Sequence, residues 1–221
     1  TSLKKYDCPA VYKYERDNPP APTEPMVLGS AVHCLIFEKE IFDEEYFVLD
    51  DEDRPVKLNK NGNKADYRDA ENRAWKEKLI SNNADKICLS GEDYKTMQNM
   101  CEEIQRHREA LYLLSGDHKE MSYYTEFDGV KVKVRPDNLV IKQFITDYKS
   151  CQSASKEEFA RHSFNMGYHI SCALYTDVLR EVYEFEHPFM FVAQEKKPPY
   201  MINIFTPDEA FIAQGRFQYK T

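Results

Sequence analysis

Residues 135–149 read Arg-Pro-Asp-Asn-Leu-Val-Ile-Lys-Gln-Phe-Ile-Thr-Asp-Tyr-Lys, and they give the strongest indication of the fold class. Asp137 precedes a short apolar run, and Asp147 and Lys149 end a second one. Side chains of a strand alternate between its faces, so Asp147 and Lys149 point the same way. If the two runs pair as strands, Asp137 converges on Asp147. Two carboxylates can hold a hard divalent cation, and a nearby ammonium can stabilise developing negative charge.

The preceding residues predict a β-hairpin. The strand 121–127 is followed by Asp128-Gly129, a strong two-residue turn signal. The return strand 130–135 alternates strictly between valine and basic residues. Residues 139–141 and 144–149 then predict a further strand pair or a continued meander.

The remaining elements follow from apolar periodicity and turn residues. Further strands are expected at 189–193 and 200–205. Helices are expected at 28–37, 66–81, 91–114 and 155–182, the last with a break near Gly167. A final helix is expected to begin at Thr206 as N-cap, with Pro207 in its first turn. This order predicts an α/β fold with a central mixed β-sheet flanked by α-helices. We expect one domain over 1–221, with a mostly helical part at 1–115 and the sheet and its helices at 116–221.

Composition describes a soluble globular protein, with 42% hydrophobic and 31% charged residues. The six cysteines form no C-x-x-C pair, which argues against a zinc ribbon or an iron–sulfur cluster. No apolar run approaches the roughly 20 residues of a membrane span, and residues 1–14 lack the apolar core of a signal peptide. A cytoplasmic protein without a membrane partner is the expectation.

Charge is distributed unevenly along the chain, whose formal net charge is −8. Residues 37–57 hold nine acidic and three basic residues, a local net of −6, whereas residues 130–156 hold six basic and two acidic residues, a local net of +4. Phosphate contacts depend on local rather than total charge. The acidic total therefore does not exclude a nucleic-acid substrate at the basic segment.

Several motifs together resemble the PD-(D/E)XK nuclease superfamily, and within it the RecE-type exonucleases (exodeoxyribonuclease VIII-like) of bacteria and phages. These motifs are Arg135-Pro136-Asp137, Asp147-Tyr148-Lys149-Ser150, Tyr168-His169 with Tyr175, Pro9-Ala10-Val11-Tyr12, the run from Met26 to His33, Pro198-Pro199-Tyr200 and Gly215. The resemblance touches the centre and both ends, while residues 40–115 carry little of it. It implies a restriction-endonuclease-like core.

The resemblance also implies roles for individual residues. Asp137 and Asp147 would ligate the metal, and Tyr148 would lend its backbone carbonyl to the same ion. Lys149 would orient the attacking water and stabilise charge at the scissile phosphate. His33 would reach the metal from the N-terminal part, although a histidine between Val32 and Cys34 on an apolar helix also fits a core position.

The chain departs from the family pattern at one position. The family commonly has glutamine four residues before the helix tyrosine, where it helps hold DNA, and this chain has Ser171 four residues before Tyr175. A hydroxyl can still donate a hydrogen bond but reaches less far. Ser171, Tyr175 and Arg135 are the predicted DNA contacts. Either Glu120 or Glu126 could add a ligand, and spacing selects neither.

The function implied is an Mg²⁺- or Mn²⁺-dependent DNA exonuclease that resects linear double-stranded DNA, 5′ to 3′, for recombination. Its partners would be double-stranded DNA, a single-strand annealing protein and further copies of itself in a homo-oligomer. Two alternatives stay open. One is a non-catalytic DNA- or protein-binding module that keeps the nuclease fold, and the other is a structure-specific endonuclease with the same site residues.

Overall fold

The computed structural model describes residues 8–50, 53–55, 69–127 and 129–220. In chain order the elements are α1 (Pro9–Asp17), α2 (Glu24–Phe37), α3 (Lys39–Glu45), β1 (Tyr46–Leu49), α4 (Ala70–Asn82), β2 (Ile87–Ser90), α5 (Gly91–Arg106), α6 (Arg108–Leu113), β3 (His118–Lys119), β4 (Tyr123–Phe127), β5 (Val130–Val134), β6 (Asn138–Val140), β7 (Phe144–Cys151), α7 (Lys156–Asn165), α8 (Tyr168–Tyr183), β8 (Phe189–Glu195), β9 (Ile202–Phe205) and α9 (Glu209–Lys220).

The chain divides into two compact units. The first, called the sheet unit here, comprises Thr1–Val27 and Met100–Thr221, and the second, called the inserted unit, comprises Leu28–Asn99. Helices α2 and α5 each contain a boundary between the two.

A five-stranded sheet organises the sheet unit, in the order β3-β6-β7-β8-β9. Strand β7 lies in the middle, antiparallel to β6 and parallel to β8. The outer pairs β3–β6 and β8–β9 are antiparallel. The predicted mixed sheet is therefore confirmed, and its central strand is the one that carries Asp147 and Lys149.

Strands β4 and β5 form the predicted hairpin, separate from the five-stranded sheet. Phe127 pairs with Val130, and Gly129 has a φ of 79°, a backbone conformation that glycine adopts without steric cost. Asp128, the other predicted turn residue, lies outside the described residues. The hairpin leads through Arg135 and Pro136 directly into β6.

The core of the sheet unit lies between the central strands, the hairpin and helices α7 and α8. Its buried members are Tyr123, Val134, Leu139, Ile145, Cys151, Ala154, Phe159, Cys172, Val178, Leu179, Phe189, Phe191 and Ala193. Burying one large apolar side chain contributes about 1.5–3 kcal/mol. The two helices are separated at Gly167, whose φ of 74° ends the helical path, as the sequence predicts.

The inserted unit contains a two-stranded parallel sheet that the sequence does not predict. Strands β1 and β2 pair with Tyr46 opposite Ile87. The ring of Phe42 on α3 stacks on Tyr46, with 5.0 Å between ring centroids. Part of the acidic segment 37–57 therefore forms a helix and a strand. Its residues 51–52 and 56–57 lie outside the described ranges.

Helix α2 begins at Glu24 rather than at residue 28, and other helix boundaries also differ from the prediction. The stretch 91–114 is not one helix, because it breaks at His107, whose Nδ1 accepts a hydrogen bond from Ala110 N and caps α6. The final helix is not capped by Thr206; it begins at Glu209, and Asp208 Oδ1 accepts from Phe211 N at 2.8 Å. None of the described helices has the length and hydropathy that a bilayer crossing requires.

Candidate active site

The central strand β7 presents Asp147 and Lys149 on one face. Asp147 is buried, with 4% of its surface exposed, and its Oδ2 forms an ion pair with Lys149 Nζ. Residues two apart in a strand share a face, which is why the carboxylate and the ammonium meet here.

Asp137 lies beside them because of the strand register. Asn138 pairs with Thr146 across the antiparallel β6–β7 ladder, so the residue before Asn138 lies next to the residue after Thr146. The Oδ2 atom of Asp137 accepts a hydrogen bond from Tyr148 N at 2.6 Å. The backbone of β7 thereby holds the carboxylate of Asp137 next to the Asp147–Lys149 pair.

Tyr148 anchors the strand from its other face. The residue is 2% exposed, and its hydroxyl donates to Gln194 Oε1 at 2.8 Å. Gln194 Nε2 in turn donates to the carbonyl of Met100 at 3.0 Å. The carbonyl of Tyr148 lies on the site, where it accepts a 3.4 Å hydrogen bond from Lys149 Nζ.

Glu120 is the further carboxylate of this site, and sequence spacing does not identify it. One of its carboxylate oxygens lies within 4.8 Å of one of Asp137. The backbone N–H of Glu120 donates to Asp137 O at 3.1 Å, which ties the two residues together. Glu126, the other residue left open by the sequence, is exposed on β4, where it pairs with Lys131 of β5.

Arg135 holds Glu120 in place. Its Nε lies 2.7 Å from the carbonyl oxygen of Glu120 and 2.7 Å from the Oε2 of the same residue. The arginine side chain is 43% exposed. A contact with DNA phosphate, expected from the sequence, stays a prediction. The geometry adds a second role, which is to fix a carboxylate of the site.

The electrostatic surroundings keep Lys149 charged. Burial alone would lower the pKa of Lys149, but the carboxylates of Asp147 and Asp137 and the hydrogen bond to Asp147 outweigh it and raise the pKa above its ordinary value. The side chain is therefore an ammonium at neutral pH. It can stabilise negative charge and donate hydrogen bonds, and it cannot accept a proton.

Helix α8 brings Ser171 and Tyr175 to the sheet unit, one turn apart and both half-buried. Burial, followed by the charges of Asp147 and Asp137, raises the pKa of Tyr175. Its hydroxyl therefore remains protonated and can donate to an anionic group. The DNA-binding roles of both residues stay predictions.

His33 lies on α2, within the inserted unit. The ring is half-buried, between the buried Val32 and Cys34 in sequence, and lies 4.8 Å from the ring of Phe37. The imidazole is therefore not enclosed in an apolar core and remains partly exposed to solvent. Its assignment as a metal ligand stays a prediction.

The donor set of the sheet unit fits a hard divalent cation. Carboxylates of Asp137, Asp147 and Glu120 and the carbonyl of Tyr148 are oxygen donors, the type that Mg²⁺ and Mn²⁺ prefer. Asp137 is buried, with 7% of its surface exposed. The side chain of Glu120 is 10% exposed. Neighbouring carboxylates in such a place repel each other, and a bound cation relieves the repulsion.

Comparisons with known proteins identify the fold and the family of the chain. No curated protein matches the chain. A crystal structure of a protein from Eubacterium rectale, provisionally named an exonuclease, superposes with a TM-score of 0.64 and 18% sequence identity over 94% of this chain and 69% of that one. This likeness shows the fold. A family model described as a PDDEXK-like domain of unknown function (DUF3799) matches residues 2–221. The chain therefore belongs to this family of PDDEXK-like domains, and the expected PD-(D/E)XK nuclease fold is confirmed.

Proposed function

We propose that this protein is a divalent-metal-dependent deoxyribonuclease that digests linear double-stranded DNA as an exonuclease. The observation that carries the proposal is the cluster on β7 and its neighbours. Asp147 and Lys149 form an ion pair there, Asp137 is bonded to the backbone between them, and Glu120 lies within 4.8 Å of Asp137. This combination of hard ligands and one ammonium suits phosphodiester hydrolysis.

The carboxylates of Asp137, Asp147 and Glu120 and the carbonyl of Tyr148 would hold Mg²⁺ or Mn²⁺. When bound, the ion supplies Lewis acidity and lowers the pKa of a coordinated water. Lys149 would stabilise the negative charge that develops on the phosphate, since its ammonium is retained at neutral pH. Tyr175 would donate to the DNA backbone, with Ser171 replacing the family glutamine beside it.

Exonuclease action is favoured over endonuclease action by two observations. The sequence motifs of this chain resemble those of RecE-type exonucleases, and the Eubacterium rectale protein of the same fold bears an exonuclease name. We extend the proposal to 5′-to-3′ resection in the cytoplasm, with a single-strand annealing protein as partner, and to a homo-oligomer. These finer points rest on the resemblance.

A non-catalytic module is the second candidate function. Ser171 in place of glutamine and the net charge of −8 favour it, because both weaken the expected hold on DNA. The ion-paired Asp147 and Lys149 oppose it, since a binding module does not need an ammonium beside a metal ligand.

Cleavage assays on matched substrates test the proposal. We expect linear duplex to be degraded to nucleotides with Mg²⁺ or Mn²⁺ and to persist with a chelator, while covalently closed circular duplex of the same sequence persists throughout. Asp147→Asn and Lys149→Met should each lower the rate by a factor of about 10² or more, provided both variants unfold at a temperature close to that of the wild type.

Other results of these assays would favour one of the two alternative functions. Nicking or linearisation of the closed circle would favour the endonuclease. A wild-type protein that binds duplex but cleaves no faster than Lys149→Met would favour the binding module. Substrates labelled at one end or the other give the direction of digestion.

A further inference from the structure

We propose that Tyr168 is a positioning residue, whose ring holds the ammonium of Lys149 in the active site. The inference rests on the proposed function, because it concerns the lysine of the same site. Tyr168 belongs to a sequence motif of the chain, but neither spacing nor residue type assigns it a task.

The geometry places the ring directly beside the ammonium. Lys149 Nζ lies 5.1 Å from the centroid of the Tyr168 ring. A cation within about 6 Å of an aromatic centroid is attracted by the negative face of the ring. The lysine comes from β7 and the tyrosine from α8, so this contact joins two separate elements across the site.

The ring itself packs against two other rings. Tyr168 is the first residue of α8, directly after Gly167 in its left-handed conformation. Its ring packs 6.0 Å from Phe191 and 5.8 Å from His162, the latter edge-on. Tyr168 and Tyr175 are two helical turns apart and so lie on the same face of α8.

The ring matters because oxygen partners of the ammonium are themselves proposed metal ligands. Asp147 Oδ2 forms an ion pair with it, and the carbonyl of Tyr148 accepts its hydrogen bond. A cation that shares these oxygens weakens their hold on Lys149. The Tyr168 ring is a partner for which the cation does not compete, so it retains the ammonium when the site is loaded.

The kinetic test compares variants at this position. In Tyr168→Leu the ring is lost, and we expect kcat to fall about tenfold with little change in KM, the rate equivalent of one cation–π contact. Tyr168→Phe keeps the ring and should retain activity within about twofold. Fluorinated phenylalanine at position 168 keeps the shape and the fold but depletes the ring of electrons, and it should behave like Tyr168→Leu.

Tyr183→Leu is the matched control. Tyr183 ends the same helix and packs against the same core, but its ring lies against Tyr123 and His187. We expect it to lose stability without the selective fall in kcat. An equal fall of kcat in Tyr183→Leu and Tyr168→Leu would overturn the proposal.

A second readout does not depend on catalysis. With Mg²⁺ present, acylation of Lys149 by an activated ester, followed by mass spectrometry, should be several-fold faster in Tyr168→Leu than in the wild type or Tyr168→Phe. Equal labelling of all three overturns the ring contact. If the wild type does not cleave DNA, the proposed function fails, and this labelling experiment still decides the inference.

Discussion

At the scale of single residues, the backbone of Glu120 has an unusual conformation that is fixed by hydrogen bonds to other residues of the site. Its φ of 52° is uncommon for a residue with a side chain. The N–H is tied to Asp137 and the carbonyl to Arg135. Such strained positions persist where the surroundings over-determine them, and they cluster at functional sites. The conformation therefore supports a functional role for this glutamate.

Substituting Glu120 tests that role. Glu120→Gln keeps the size of the side chain and removes its charge, so we expect Mn²⁺ affinity, measured by calorimetry, to fall about 10- to 100-fold. Glu126→Gln, on the exposed face of the hairpin, should bind as the wild type does. Unchanged affinity in Glu120→Gln would remove this residue from the ligand set.

Residue patterns predict part of the site and miss the rest for a physical reason. Strand alternation places Asp147 with Lys149, and pairing of the two apolar runs brings Asp137 to them. Glu120 follows β3 outside any regular period, and its approach to Asp137 depends on contacts with a residue fifteen positions later, Arg135. No local sequence signal contains that information.

At the scale of elements, helices α8 and α9 are joined by close packing and by an ion pair. A Cβ added at Gly215 would lie 2.0 Å from the carbonyl oxygen of His169, so only glycine permits this approach. Next to it, Arg216 donates to both carboxylate oxygens of Asp177, and the hydroxyl of Tyr219 donates to the same group.

Adding one methyl group tests the close approach. Gly215→Ala gains up to about 1 kcal/mol of helix propensity, but forcing the helices apart should cost more, leaving a net loss of about 1–3 kcal/mol in the free energy of unfolding. Urea denaturation measures it. Ala213→Gly, at an exposed position of the same helix, should show the propensity effect alone. A stabilised Gly215→Ala would contradict the packing.

The ion pair gives a pH-dependent prediction. Burial alone would raise the pKa of Asp177, but the hydrogen bonds from Arg216 and Tyr219 lower it below the ordinary 3.8. The stabilisation is therefore complete above that value and is lost as pH falls through the lower, folded-state pKa. Asp177→Asn should cost about 3 kcal/mol at neutral pH. Denaturation below about pH 4 should show a smaller difference in unfolding free energy between the wild type and Asp177→Asn. A difference that does not change with pH would argue against an ionised Asp177 in the folded protein.

Local signals predict several elements correctly. The hairpin follows from its turn signal, and the break between α7 and α8 follows from Gly167. The parallel pair β1–β2 is missed because its strands are four residues long and separated by α4 and residues outside the described ranges. Helix α5 ends early because a histidine side chain caps the next helix, a contact that periodicity does not encode.

At the scale of the whole molecule, the order of the sheet depends on pairings between distant segments. The predicted mixed sheet follows from the sequence of helices and strands, whereas the parallel pairing of β7 with β8 crosses two helices. His187 supports this junction. It is buried just before β8, and its Nε2 accepts from Lys142 N, in the turn before β7, at 3.0 Å.

Acid should weaken this junction. Burial lowers the pKa of His187 below 6.5, so the unfolded chain binds the proton first as the pH falls. The stabilisation is complete above 6.5 and declines below it toward the folded-state pKa. His187→Gln offers an acceptor that does not titrate. We expect the unfolding free energy of the wild type to fall more than that of this variant between about pH 7.5 and 5. If the two unfolding free energies fall in parallel, His187 is not the source of the acid sensitivity.

The two faces of β7 have a consequence for how this protein can change over evolutionary time. One face carries Asp147 and Lys149, and the other inserts Tyr148 toward Gln194. Shifting a strand by one residue exchanges its faces, which would turn Asp147 and Lys149 toward Gln194 and place the phenol in the site. Evolution can therefore substitute side chains of this strand one at a time. Insertion or deletion of a single residue within the strand would instead remove the stability of the protein and its active site together.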